Sequence, residues 1–164
     1  MNTTVWRICH KRQVAFAFNG EGTRLSSGRC NSKGTSLVYA SATLSLAALE
    51  TFFPMEIEQA GNLFLSIRVD IPDRLPREKL EPRQLPDNWR ALPASRLLAP
   101  IGDRWFRASK TPILIVPSAI VPEENNYLLN PFHQDFEQIK IYPPQPFSLF
   151  AAVKFYSSSQ ISVN

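Results

Sequence analysis

The apolar positions of this chain fall into short, separated runs rather than one long periodic stretch. Val5–Cys9 reads as a first short strand, and Ser36–Ala40 (SLVYA) as a second, rich in strand-forming residues. Leu63–Val69 (LFLSIRV) alternates in part and Glu137–Tyr142 (EQIKIY) alternates cleanly, so each predicts a strand. Pro112–Val116 (PILIV) is apolar without a break, the pattern of a strand buried on both faces. Helical spacing appears in two places. Thr43 offers an N-cap, Leu44, Ala47, Ala48 and Leu49 follow at helical intervals, and Pro54 supplies a stop. Ile101–Ser109 predicts a second helix with Trp105 turned to the core. Phe16–Lys33 is polar and glycine-bearing, hence a surface loop. Residues 71–100 are rich in proline and charge and read as irregular, with room for one short helix. The order β, β, α, β, α, β, β points to a mixed α+β domain rather than a doubly wound parallel sheet.

Composition narrows the picture. A chain of 164 residues, 44% of them hydrophobic, is one domain able to bury a core. Fourteen prolines against six glycines argue for stiff connections and short elements. The net charge of +4 comes from scattered lysines and arginines with no block of like charge. Direct nucleic-acid binding is therefore not expected, and the mild basic excess suits an anionic small molecule or an acidic protein. Cys9 and Cys30 form no CxxC pair, and His10 and His133 are the only histidines, so no metal site is expected. No apolar run approaches the roughly 20 residues of a membrane span, and none at the start resembles a signal peptide. The expected location is the reducing cytoplasm, with free thiols and no membrane contact.

Two stretches stand apart. In GRCNSKGTSLVYASATLSLAALE (residues 28–50), Arg29 follows a glycine in a loop, where a planar guanidinium can reach an anionic group. Tyr39 closes the following strand, and Glu50 ends an apolar helical run. Taken alone, Glu50 is a solvated residue on a helix's polar face and Arg29 a surface arginine. In VPSAIVPEENNYLLNP (residues 116–131), Ser118 follows the buried strand, and Asn125, Asn126 and Asn130 add amides. Taken alone, this is a polar loop with asparagine turns. Ser118 lacks a GxSxG elbow, so a serine-hydrolase nucleophile has little support.

Together the two stretches resemble the RES domain, a family named for an arginine, a glutamate and a serine. The stretch around Arg29 is similar to the family's glycine-arginine element, its strand ending in tyrosine-alanine and its helix ending in leucine-glutamate. The stretch around Ser118 is similar to its serine loop. The resemblance runs from Trp6 to Pro146, giving a RES domain over residues 1–146 and a divergent tail over 147–164. Cys30 stands where the family has tryptophan, and Phe132 where a basic residue is more usual.

The resemblance implies an α+β fold similar to the ADP-ribosyltransferase and diphtheria-toxin group, with a mixed central sheet and flanking helices. It implies the toxin of a toxin–antitoxin pair that cleaves the nicotinamide–ribose bond of NAD. NAD is then a substrate rather than a cofactor, and water or phosphate the acceptor. Residue by residue it assigns catalysis to Arg29, Tyr39, Glu50 and Ser118, and dinucleotide contact to Trp6, Arg7, Arg29, Asn31, Tyr39 and Asn126. It implies an Xre-type helix-turn-helix antitoxin as partner, and a toxin homodimer within the complex. A protein ADP-ribosyltransferase and a catalytically weakened antitoxin-binding module are the alternatives.

Overall fold

The protein, seen in a computed structural model, is described over residues 1–53 and 63–148. Among the described residues eight strands form a single sheet: β1 (Asn2–His10), β2 (Val38–Ser41), β3 (Phe64–Pro72), β4 (Arg77–Lys79), β5 (Ile113–Pro117), β6 (Asn125–Leu129), β7 (Lys140–Ile141) and β8 (Gln145–Phe147). The spatial order is β4-β5-β6-β2-β1-β3-β7, with β8 also on β3. Among the described residues only β4 and β5 run parallel, and every other pairing is antiparallel. The α+β class with a mixed sheet is thus the observed one.

Strand alternation divides the core. Val5, Val38, Ala40, Ile113 and Ile115 bury one face of the sheet. Opposed strand residues share a face, and the register Trp6–Ser41–Asn126–Val116 runs as one row across four strands. That row lies on the other face, where two helices pack. Helix α2 (Leu44–Phe52) covers Ile8 and Phe64 through Ala47, Ala48 and Phe52. Helix α3 (Ala99–Ala108) covers Leu37, Leu114 and Leu128 through Trp105. The two clusters are separate, so a gap remains between them over β1 and β2.

Several elements differ from the expectations. The loop expected over Phe16–Lys33 holds a five-residue helix, α1 (Glu21–Leu25). The irregular stretch 71–100 contains β4, whose Arg77, Glu78 and Lys79 pair with Ile113, Leu114 and Ile115. Strand β6 was hidden because its Asn125-Asn126 start carries no apolar alternation. Glu137–Tyr142 shrinks to the two-residue β7, preceded by a 3₁₀ turn at Phe136–Gln138. In α2, Leu49 is 44% exposed, and Leu46 is buried in its stead. Thr43 caps the helix as expected, accepting from Leu46 N at 3.0 Å. The expected stop, Pro54, lies outside the described residues, as do residues 149–164 of the expected tail. Phe147 pairs with Phe64 in β8 and stacks on Phe52. Among the described residues, no helix is long and apolar enough to cross a membrane.

Candidate active site

Strands β1 and β2 are matched at one position only, Trp6 opposite Ser41. Beyond it the strands part, and Arg7 Nη1 donates to Tyr39 O at 2.6 Å in place of a ladder bond. The split opens a cleft of about 300 Å³, lined by Trp6, Arg7, Arg29, Tyr39, Glu50 and Asn126. Ser41 and Thr51 border it as well.

Glu50 reaches the cleft from the last turn of α2, and the sheet holds it there. Its Oε1 accepts from Ser118 Oγ at 2.7 Å and from Asn126 Nδ2 at 2.6 Å. Ser41 Oγ donates to Asn126 Oδ1 at 2.7 Å, which sets the amide so that its nitrogen faces the carboxylate. The Ser118 hydroxyl in turn accepts from Ile120 N at 3.1 Å and Val121 N at 3.0 Å. One donor and two acceptor sites exhaust a hydroxyl, and Ser118 is fully buried. Both bonds fall on Oε1, so Oε2 is left for the cleft.

The arginine loop is held from behind. Asn31, fully buried, directs its amide nitrogen at the carbonyls of Thr23, Ser26 and Ser32, and its Oδ1 accepts from Tyr39 OH at 2.8 Å. Gly28 is required by this closeness, because a Cβ there would lie 2.5 Å from Asn31 Oδ1. Asp103 of α3 accepts from Ser32 N at 2.9 Å and Thr35 Oγ1 at 2.8 Å. Burial works to raise its pKa, but the bonds from Ser32 and Thr35, with Arg107, hold it below the usual aspartate value. Gly102 lets α3 approach this loop: a Cβ would fall 1.9 Å from Cys30 O.

The cleft sets two guanidiniums, Arg7 and Arg29, beside the Glu50 carboxylate. Burial lowers the pKa of Arg7, with Cys9 acting weakly the other way. Its buried Nε has no hydrogen-bond partner among the described residues, a costly state that an acceptor in the cleft would relieve. Arg29 Nη1 donates to Trp89 O at 3.0 Å and Ala91 O at 3.1 Å. Burial raises the pKa of Tyr39, so its hydroxyl stays a neutral donor. Burial likewise pushes the Cys30 thiol up to about 11, against the pull of Arg29. That thiol is protonated at neutral pH and is a poor nucleophile.

Six of the eight residues singled out from the sequence therefore meet at the cleft: Trp6, Arg7, Arg29, Tyr39, Glu50 and Asn126. Ser118 and Asn31 stand behind it, one holding Glu50 and the other Tyr39. The two departures from the family pattern lie outside the cleft wall. Cys30 borders a separate apolar cavity of about 20 Å³, and Phe132 meets Phe106 edge-on. Sequence reasoning missed Ser41 and Asp103. Ser41 follows Tyr39 by two in a strand, so its place on the same face was available from alternation. No local signal marks Asp103.

Comparison with known proteins identifies the family and the fold. The RES domain profile matches residues 4–149. The chain is 37% identical over 147 residues to the Prs ADP-ribosylating toxin of Sphingobium sp. (strain YBL2), spanning 85% of this chain and 89% of that protein. It is 35% identical over 133 residues to Toxin Res of Yersinia enterocolitica, spanning 81% and 87%. In fold it is similar to a chain in the crystal structure of the M. tuberculosis MbcT–MbcA toxin–antitoxin complex. There the TM-score is 0.69 at 15% identity, over 90% of this chain and 85% of that one. The chain belongs to the RES domain family of toxins.

Proposed function

We propose that this toxin consumes NAD by breaking the bond between nicotinamide and ribose. One observation carries the reading: Glu50 is clamped through Oε1 by Ser118 and Asn126, leaving Oε2 to a cleft lined by Arg7 and Arg29. In the reaction the C1′–N1 electron pair leaves with nicotinamide, whose ring nitrogen becomes neutral. Positive charge develops on the ribose, as in glycoside hydrolysis. A preorganised carboxylate stabilises that charge without reorganising during the step. The leaving group needs no proton, so no histidine acid is required.

The guanidiniums of Arg7 and Arg29 take the pyrophosphate in charge-assisted contacts. Trp6 and Tyr39 border the nicotinamide end. Ser118 and Asn31 act as positioning residues. A cleft of about 300 Å³ lies at the small end of ligand pockets, about 300–1,000 Å³, and suits the nicotinamide riboside half. Water as acceptor gives ADP-ribose with loss of a proton; phosphate gives ADP-ribose 1-phosphate. The toxin works in the cytoplasm, where an Xre-type helix-turn-helix antitoxin fills the cleft, contacts the DNA and holds a toxin homodimer in a larger complex. The antitoxin assignment is supported by the fold likeness to a chain from a toxin–antitoxin complex.

The test is NAD concentration over time with purified protein and with Glu50→Gln, with and without phosphate. Loss of NAD with the parent alone supports the reading, and phosphate dependence names the acceptor. Equal, flat traces sink it. Another reading, transfer of ADP-ribose to a protein, is favoured by the relative named as a Prs ADP-ribosylating toxin. Label from tagged NAD appearing on a protein acceptor distinguishes it.

A further inference from the structure

The segment 86–91 has no part in the reading above, yet it touches both walls of the site. It closes on itself through Trp89 N to Pro86 O and Ala91 N to Asn88 O, both at 2.9 Å. The carbonyls of Trp89 and Ala91 converge on Arg29 Nη1 at 3.0 and 3.1 Å. Arg90, between them, reaches the other way, and its Nε donates to Ala119 O at 3.0 Å. Ala119 directly follows Ser118, the residue that holds Glu50. One turn thus spans from the arginine loop to the serine loop.

The consequence falls on Arg29. Two carbonyl dipoles aimed at one nitrogen set the plane of its guanidinium, and they occupy Nη1 alone. Nε and Nη2 remain as a fork for an anion. The turn can set that plane only while it is itself fixed, and Arg90 ties it to the far wall. Arg90 is exposed, so its side chain does not contribute to the core.

We infer that Arg90 is a positioning residue: by latching the Trp89–Ala91 turn to Ala119, it holds Arg29 in the orientation that meets the dinucleotide pyrophosphate. This rests on the NAD-consuming reading. It makes Arg90 act on substrate binding and not on the bond-breaking step, because Glu50 keeps its own two donors.

The experiment compares the parent with Arg90→Ala and Arg90→Lys in steady-state NAD consumption and in amide hydrogen exchange. A lost hydrogen bond from a charged donor corresponds to about a tenfold effect. Arg90→Ala is expected to raise KM for NAD about tenfold, leave kcat within about twofold, and speed exchange at Trp89 and Ala91. Arg90→Lys, which keeps a donor, recovers most of the affinity. An unchanged KM, or a fall in kcat alone, overturns the inference. If the parent leaves NAD intact, the consumption reading fails, and ADP-ribose binding by calorimetry replaces the kinetics. Tenfold weaker binding by Arg90→Ala then supports the latch, and equal binding overturns it.

Discussion

Ser118→Ala separates a residue that holds the carboxylate from one that touches a ligand. The hydroxyl donates to Glu50 Oε1 at 2.7 Å and accepts from the amides of Ile120 and Val121. Removing it deletes one of two donors on a carboxylate, a bond to a charged group worth roughly 1.5–3 kcal/mol. It also leaves two amides without an acceptor beside a fully buried position, which costs about 1–3 kcal/mol more in stability. Asn126 still holds Glu50 at 2.6 Å, so the carboxylate loosens without leaving the cleft. On the transition-state scale of about 1.4 kcal/mol per factor of ten, kcat should fall roughly 10- to 100-fold. KM should stay within about twofold, because a saturated, buried hydroxyl offers nothing to a substrate. The assays are steady-state NAD consumption and urea unfolding on the same preparations. A parent-like kcat, or a rise in KM with kcat unchanged, would refute the clamp and return Ser118 to direct contact.

Asp103→Asn should be less stable than the parent near neutral pH, by urea unfolding. A carboxyl whose folded pKa is depressed contributes stability above its ordinary value of 3.8 and loses it as pH falls through the folded value. The gap between the two proteins should therefore close on acidification below about pH 4; a gap that widens there contradicts the assigned bonds to Ser32 and Thr35. Cys30, with its thiol pushed up to about 11, should react slowly with iodoacetamide at pH 8 in the native protein and at an ordinary rate once unfolded. Fast native labelling at Cys30 would show a thiolate that the structure does not support.

The residues that touch the cleft were named by the resemblance of two stretches to the RES domain, because local pattern alone left Arg29 and Glu50 as surface residues. The elements that carry them were readable because their signals are local. Thr43, the apolar run and Glu50 lie within one helix, and the cap and spacing set where that helix starts and how it turns. The buried strand Ile113–Pro117 announced itself by an unbroken apolar run, since both of its faces are covered. The glycine-arginine loop and the serine loop were recognisable as motifs for the same reason. Long-range pairing was not readable. Asn125-Asn126 reads as a turn, and becomes strand only because Ser41 on one side and Val116 on the other supply the ladder. Arg77–Lys79 is polar and short, and is strand only through its parallel partner β5.

Burial went the same way. Leu46 and Leu49 are chemically identical, and which one enters the core depends on the angle at which α2 meets Ile8 and Phe64. Asn31 and Ser118 carried polar chemistry that suited a ligand. The tertiary structure spends it instead on Tyr39, Glu50 and five loop amides and carbonyls near them. The sequence by itself determined which residue types stand at the site and in which local elements, because capping, periodicity and turn chemistry act over a few residues. Only the tertiary structure decided which of them face the cleft and which hold the others in place. Hydrogen-bond partners 68 and 76 positions apart, as Glu50 has in Ser118 and Asn126, are chosen by sheet register and helix packing, and no local pattern encodes those.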